Sequence, residues 1–405
     1  MDKEIDYLFL TMMDYYHVIV GGGSISGLLA AREIANAGFS VLVLEEDSEV
    51  GTPEHCGGLV SISGIQKLGI IPSFNCIQNN RIRYAEIKSS SKTFKLTTEK
   101  QKVIVLDRRT LDKHIAYQAQ KMGAEIRTRC SVRSLSKNND NNNTDESRHY
   151  YYIRTSQGDL RCSYFVDARG VGSLIQKNRN GVLQSAQYEV YASWIDHETI
   201  EVKFDVNKYP GFFAWVIPTG SGSGKVGVAG NSINAANALD SYLNSKGEKY
   251  SVIRKVYAPI WTAGPIEDFV SARTIIIGDA AGQTKPTTAG GIYTCGMGGV
   301  CAGRAISNAL KQNDDKLLKD YKNNWFSLFK DEFNKMLLFR NILGRLDNVA
   351  LDELFSTISE TQIVDISNTG DFDFHSTAIS KILRTKSGSK IMKAIFSNEI
   401  RRLLS

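Results

Sequence analysis

The segment His17–Glu45 constrains this chain more than any other. His17-Val18-Ile19-Val20 is a short apolar run that leads straight into Gly21-Gly22-Gly23-Ser24-Ile25-Ser26-Gly27. Leu28–Ala37 reads as a helix with alanine-rich faces and stops at Gly38, a natural C-terminal cap. Phe39–Leu44 is a second strand, with Glu45 at its end. Strand, glycine loop, helix, strand and acid make a βαβ unit of the kind that binds dinucleotides. Glycines let the backbone approach a pyrophosphate, and the helix N-terminus supplies N–H donors and positive potential. Glu45 can accept from ribose hydroxyls. Counted back from Gly38, the motif is Gly22-x-Ser24-x-x-Gly27, with serine at the middle glycine position.

A second feature is Tyr209–Gly220, where Pro210 and Pro218 bracket Phe212, Phe213 and Trp215. Read as a strand, it places Phe213 and Trp215 on one face and Phe212 and Ala214 on the other. Such an aromatic strand could wall a pocket for an apolar ligand. Taken alone, it reads first as an edge strand packing on a core.

Composition narrows the class. With 42% apolar and 23% charged residues, the chain is that of an ordinary globular protein, and 405 residues predict two or three domains. No apolar run reaches the ~18 residues of a membrane span. Met1–Asp14 lacks the features of a signal peptide, and Met13 is the expected natural start. The six cysteines form no CxxC pair, which predicts a reducing, cytoplasmic setting and no metal site.

The net charge of +6 is concentrated at the C-terminus, where Lys381–Ser405 carries seven basic residues against Glu399. Ile391, Met392, Ile395, Phe396 and Ile400 recur there at helical spacing. A basic amphipathic helix of this kind can lie on the inner surface of an anionic membrane or dock on its own protein. No nucleic-acid partner is expected.

Along the chain, Glu125–Ser134 and Tyr150–Ser156 read as a hairpin with an Asn-rich tip at Lys137–Asn143. Tyr164–Ala168 and Thr274–Ile277 read as core strands, and Ile292–Leu310 as a small-residue helix. Lys225–Gly230 is expected beside the aromatic strand in a sheet. From Gln187 to Gly230 the pattern turns β-alternating and aromatic. The fold class is α/β, or α+β overall: a Rossmann-like dinucleotide-binding domain, a mixed antiparallel-sheet domain holding the aromatic strand and a helical C-terminal region. The expected partition is 13–80, 103–175 and 265–310 for the first, 81–102 and 176–264 for the second, and 311–405 for the helices. Residues 1–12 are a loose extension.

The βαβ unit with Glu45, Arg108 before a helix, Ala168-Arg169-Gly170 and Gly278-Asp279-Ala280-Ala281 stand in the order found in flavoproteins resembling para-hydroxybenzoate hydroxylase. Within that group, Cys56-Gly57-Gly58 and Pro210–Pro218 resemble the geranylgeranyl reductases, whose pocket strand reads Pro-x-x-Tyr-x-Trp-x-Phe-Pro. Phe213 stands here for the tyrosine and Ile217 for the phenylalanine. The resemblance covers roughly Tyr15–Gly303. It implies FAD, with Gly22, Ser24 and Gly27 at the pyrophosphate and Glu45 at the adenosine ribose. It also places Arg108 near the flavin phosphates or ribityl chain, Asp279 on the ribityl hydroxyls, and Gly290 and Gly291 beside the isoalloxazine. Arg108 as a surface ion pair and Asp279 as a helix cap are the structural alternatives.

The implied activity is hydrogenation of isolated C=C bonds in the prenyl chains of archaeal-type ether lipids. An unactivated alkene offers no polar handle, so the protein must supply a dry slot that orients it against the flavin. Phe213, Trp215, Pro210 and Pro218 would line that slot. Cys56 is the candidate proton donor, since an unperturbed thiol (pKa ~8.5) is protonated at neutral pH. A buried structural cysteine is the alternative, and His55 reads as a surface residue. With no second βαβ unit, electrons would come from a docking NAD(P)H or from ferredoxin. Ser24, Arg169 (where the group usually has aspartate) and Lys285 (where the reductases often carry an acid) depart from the pattern. A flavin monooxygenase on the same fold and a non-catalytic flavin-binding relative are the other readings.

Overall fold

The structure is a computed structural model and describes residues 13–137, 150–385 and 388–389. The N-terminal extension, the Asn-rich tip beyond Lys137 and the basic amphipathic helix expected around Ile391–Leu404 lie outside the described residues.

Strand β1 (Tyr15–Gly21) buries Val18, Ile19 and Val20 completely and delivers the chain to the glycine loop. Helix α1 (Ile25–Asn36) starts directly after Ser24, three residues before the expected Leu28. Ser26 and Gly27 are small and buried, so the first helical turn tucks under the sheet where a looser loop was expected. Then come β2 (Val41–Leu44), β3 (Leu59–Ser61), α2 (Ile62–Lys67), β4 (Ile77–Asn79), β5 (Tyr84–Lys88), β6 (Thr93–Thr97) and β7 (Val103–Leu106). Helix α3 (Arg108–Lys121) is capped by Asp107, whose side chain accepts from the Thr110 N–H. Next are β8 (Glu125–Arg127), β9 (Val132–Lys137), β10 (Tyr151–Thr155) and β11 (Gly158–Asp167). The aromatic half holds β12 (Val182–Ala192), β13 (Thr199–Lys203), β14 (Ala214–Gly220), β15 (Ser223–Gly230), α4 (Ala235–Asn244), β16 (Tyr250–Tyr257) and β17 (Ile260–Trp261). The chain closes with β18 (Val270–Ser271), β19 (Thr274–Ile276), α5 (Ile292–Gln312), α6 (Lys319–Leu343), α7 (Asn348–Ser356), α8 (Glu360–Thr369) and α9 (Ser376–Leu383).

Two large sheets result. In the first the order is β18–β19–β11–β1–β2–β8, with β1 parallel to β2 on one side and to β11 on the other. The strand order reverses at β1, so a crevice opens beyond its carboxyl end, at Gly21 and Gly22. Helices α1 and α5 cover one face in backbone contact: a Cβ on Gly299 would stand 2.1 Å from the Ser26 carbonyl oxygen, and one on Gly303 2.7 Å from that of Ala30. Trp325, Phe329 and Phe333 of α6 complete this core. The expected hairpin of Glu125–Ser134 with Tyr150–Ser156 forms only from Val132 on, where β9 runs antiparallel to β10. The segment breaks at Arg129, whose φ is +55°, so β8 pairs with β2 while β9 pairs with β10.

The second sheet runs β16–β12–β15–β14–β13–β5–β6. Its centre is β14, between β13 and β15, so the aromatic strand is internal and not an edge. Pro218 is tolerated there because the register shifts between Pro218 and Gly220, a bulge at which a missing N–H costs little. The strand is also shorter than expected. Gly211 has φ +72° and the Phe212 N–H donates to the Tyr209 carbonyl at 3.0 Å, so Tyr209–Phe213 is a turn. Phe212 and Phe213 therefore do not point to opposite faces. Their rings stack at 4.1 Å, and both side chains are buried. The expected neighbour, Lys225–Gly230, is β15 and pairs antiparallel with β14. Among the described residues no helix is long and apolar enough to cross a membrane.

Candidate active site

At the crevice, Gly22 adopts φ +108° and lies so close to the β11 exit that a Cβ would meet the Ala168 carbonyl oxygen at 2.5 Å. Only glycine suits both demands. The Gly23 N–H donates to Glu45 Oε2 at 2.8 Å, and the Asp47 N–H donates to Glu45 Oε1 at 2.9 Å. Glu45 thus sits at the end of β2 beside the glycine loop. Ser24 is the N-cap of α1, is exposed, and has a side chain that makes no capping bond. Open backbone, a helix N-terminus and an adjoining carboxylate at the carboxyl end of a parallel strand fit the pyrophosphate and ribose of a dinucleotide. Arg169 brings no loose charge here. Its guanidinium is held at 2.9–3.0 Å by the buried Asp167 carboxylate, which also accepts from Ser173 Oγ at 2.7 Å.

A second group gathers at Arg108. Its guanidinium meets Asp112 at 2.9–3.1 Å, and neither partner is at the surface. Burial opposes the charge on Arg108, yet Asp112 and contact with the Cys56 thiol raise its pKa above the ordinary arginine value. The alternative of a surface ion pair fails on this burial. Asp279, exposed on the short turn Gly278–Ala281, accepts from the Cys295 thiol at 3.4 Å. Gly291 is the N-cap of α5, and a Cβ there would lie 3.6 Å from Asp279 Oδ1. Gly290 abuts Lys285, whose ammonium donates to the Phe372 carbonyl at 2.9 Å. The Lys285 pKa is lowered by burial.

The Cys56 loop is fastened by a residue that sequence reasoning missed. Glu54 is buried, and its Oε1 accepts from Lys225 Nζ at 2.6 Å and from the Arg108 N–H at 3.0 Å. Its Oε2 accepts from Arg254 at 3.0 Å, with Arg109 at 3.7 Å. Lys225, from the centre of the second sheet, is fully buried. A lysine inside the otherwise apolar β15 was the available signal, because a buried ammonium requires a partner. Beyond Glu54, the Cys56 Sγ accepts from the Gly58 N–H at 3.3 Å, and His55 is exposed, as expected.

Gln187 of β12, also missed, joins this loop to the aromatic strand. Its Nε2 donates to the Cys56 carbonyl at 3.4 Å, and its Oε1 accepts from the Trp215 indole N–H at 3.2 Å. Gly57 packs on Ile217, where a Cβ would stand 2.5 Å from Cδ1. Trp215 lies flat because its cross-strand partner is Gly227, whose missing side chain leaves room for the indole. Phe213 follows, with ring centroids 6.2 Å apart. The two prolines are held elsewhere: the Pro218 carbonyl accepts from Asn79 at 3.0 Å, and that of Pro210 from the Asn231 N–H at 2.8 Å.

With the crevice in view, the FAD binding domain family matches residues 15–239. A digeranylgeranylglycerophospholipid reductase 2 from Methanothermobacter thermautotrophicus is 30% identical over 87% of this chain and 94% of its own. The chain belongs to that reductase family. A digeranylgeranylglycerophospholipid reductase from Methanocaldococcus jannaschii is 27% identical over 86% and 92% of the two chains. A solved geranylgeranyl bacteriochlorophyll reductase-like protein from Thermoplasma acidophilum has the same fold, with a TM-score of 0.82 at 23% identity, covering 95% of this chain and 99% of its own. The cofactor of this family member is FAD, and the protein is an oxidoreductase.

Proposed function

We propose that this reductase hydrogenates C=C bonds of geranylgeranyl chains in an ether-lipid precursor. The observation that carries the reading is the pair of hydrogen bonds from Gln187, which makes the Cys56 loop and the Trp215 strand one wall. Bound FAD supplies the electrons for reduction of the alkene. Gly22, Ser24 and Glu45 would hold the dinucleotide half, with Gly27 letting α1 pack against the Gly22 carbonyl, while Arg108, Asp279, Gly290 and Gly291 would hold the flavin half. Phe213 and Trp215 orient the prenyl chain and exclude water, with Pro210 and Pro218 setting the ends of that wall. The Cys56 thiol, beside the Arg108 guanidinium, delivers the proton to carbon. Reducing equivalents reach the site from a nicotinamide or from a protein such as ferredoxin.

Incubating the holoenzyme with dithionite and a geranylgeranylated glycerol phospholipid tests this. The expected product has gained two hydrogens for each double bond reduced, counted by mass spectrometry. A protein with bound FAD that leaves the lipid mass unchanged would overturn the proposal.

A further inference from the structure

Beyond Phe213 the aromatic row continues to a cation that the chemistry above does not use. Phe212 stacks on Phe213, and the Arg340 guanidinium of α6 lies 5.7 Å from the Phe212 ring centroid. These groups border a cavity of about 30 Å³, also lined by Leu343 and by Thr287, three residues before Gly290. The row therefore runs from the Cys56 loop, through Trp215 and the two phenylalanines, to an arginine.

Arg340 is unusual in lacking an acid. Its Nη1 donates to the Pro286 carbonyl at 3.2 Å, and among the described residues it forms no salt bridge. The carboxylate on the cavity wall, Asp205, is engaged by Asn348 Nδ2 at 2.9 Å and by Lys208 at 3.6 Å. Burial lowers the Arg340 pKa to about 10, so it remains charged at neutral pH. A charge taken from water without a counter-ion is costly, and a guanidinium keeps most of its donors for a planar or tetrahedral oxyanion. With one donor spent on Pro286, the others are available to such a group.

We propose that Arg340 binds the phosphate headgroup of the prenyl lipid, so that the substrate lies with its head at α6 and its chain along Phe212, Phe213 and Trp215 toward Cys56. This rests on the reductase reading for the identity of the chain and assigns the substrate a direction. Phosphate is the chemistry recognised, and the lipid headgroup is its source.

The test is equilibrium binding to the FAD-loaded protein by calorimetry, using geranylgeranyl monophosphate, geranylgeraniol and inorganic phosphate as probes. The proposal expects the phosphate ester to bind at least ~10-fold more tightly than the alcohol, about 1.4 kcal/mol. Arg340→Met should erase that preference and leave alcohol binding unchanged, while Arg340→Lys should retain part of it. Equal affinity for ester and alcohol in the unmodified protein would overturn the proposal, as would a preference that survives in Arg340→Met. Inorganic phosphate binding as tightly as the ester would also overturn it, by showing an anion site indifferent to the lipid. Thermal melts of both variants confirm folding, and Arg340→Lys carries the test if Arg340→Met does not fold. Hydrogen counting reports separately on the reductase reading. Ester preference without hydrogenation would sink that reading alone, and hydrogenation without ester preference would sink this one alone.

Discussion

At the scale of single residues, the site depends on charges that the sequence keeps far apart. Glu54 and Lys225 are separated by 171 positions and meet at 2.6 Å with no exposure on either side chain. Two buried ions attract strongly, but both have lost their hydration, so the pair is weak evidence for stability and removing one partner is severe. Lys225→Met should cost about 3–5 kcal/mol in urea unfolding, with Arg254 and Arg109 holding it to the lower part of that range. Glu54→Gln in the same background should recover much of the loss. A single variant within about 1 kcal/mol of the unmodified protein would show that the loop is anchored by something else.

The residue scale also shows what a sequence can reveal. The meeting of Gly22 and Glu45 at the glycine loop was legible because each position follows from the strand end on which it sits. Gln187 was not, since its two bonds reach Cys56 across 131 positions and Trp215 across 28. Nothing local to Gln187 announces either partner. The opposed faces assigned to Phe212 and Phe213 failed because period-2 reasoning applies within a strand, and Gly211 turns the chain before the strand begins.

At the scale of elements, the loop holding Lys285 to Gly291 is tied to the segment between α8 and α9. Lys285 donates to the Phe372 carbonyl, and Thr287 and His375 Nδ1 are 2.7 Å apart. His375 Nε2 is 3.0 Å from the Phe372 carbonyl. A neutral ring satisfies both contacts, with Nε2–H donating to the carbonyl and Nδ1 accepting from the hydroxyl. Burial, reinforced by the nearby Lys285 ammonium, lowers the His375 pKa from 6.5 to about 3. The folded state thus favours the neutral form. The stability this gives is complete above pH 6.5 and is lost as pH falls from there toward 3. Between about pH 7.5 and 5 the unmodified protein should lose on the order of 1–2 kcal/mol that His375→Gln does not lose. Parallel pH dependences in denaturant titrations would contradict this picture.

The helices were the elements best anticipated. The small-residue helix after Gly291 was legible because Gly299 and Gly303 mark a face that can only meet backbone, and α1 is that backbone. The β8–β9 break was not, because Arg129 holds a left-handed conformation that its residue type does not advertise.

At the scale of the whole molecule, two sheets share one seam. The first ends at the glycine crevice and Glu45. The second presents Trp215, and the loop bearing Cys56 crosses between them, held by Glu54 to both α3 and β15. The dinucleotide-binding half follows from the sequence almost directly. The seam emerges only in three dimensions, because every bond that builds it joins distant segments. If it is the reducing site, its two walls must fail in different ways. The decisive measurement is hydrogen incorporation into a geranylgeranylated glycerol phospholipid, followed over substrate concentration for Cys56→Ala and Trp215→Ala with FAD content verified. Cys56→Ala should lower kcat by ~10²-fold or more with KM little changed, as loss of a proton donor does. Trp215→Ala should raise KM. Both variants turning over lipid with unaltered kcat and KM would contradict this placement of the site.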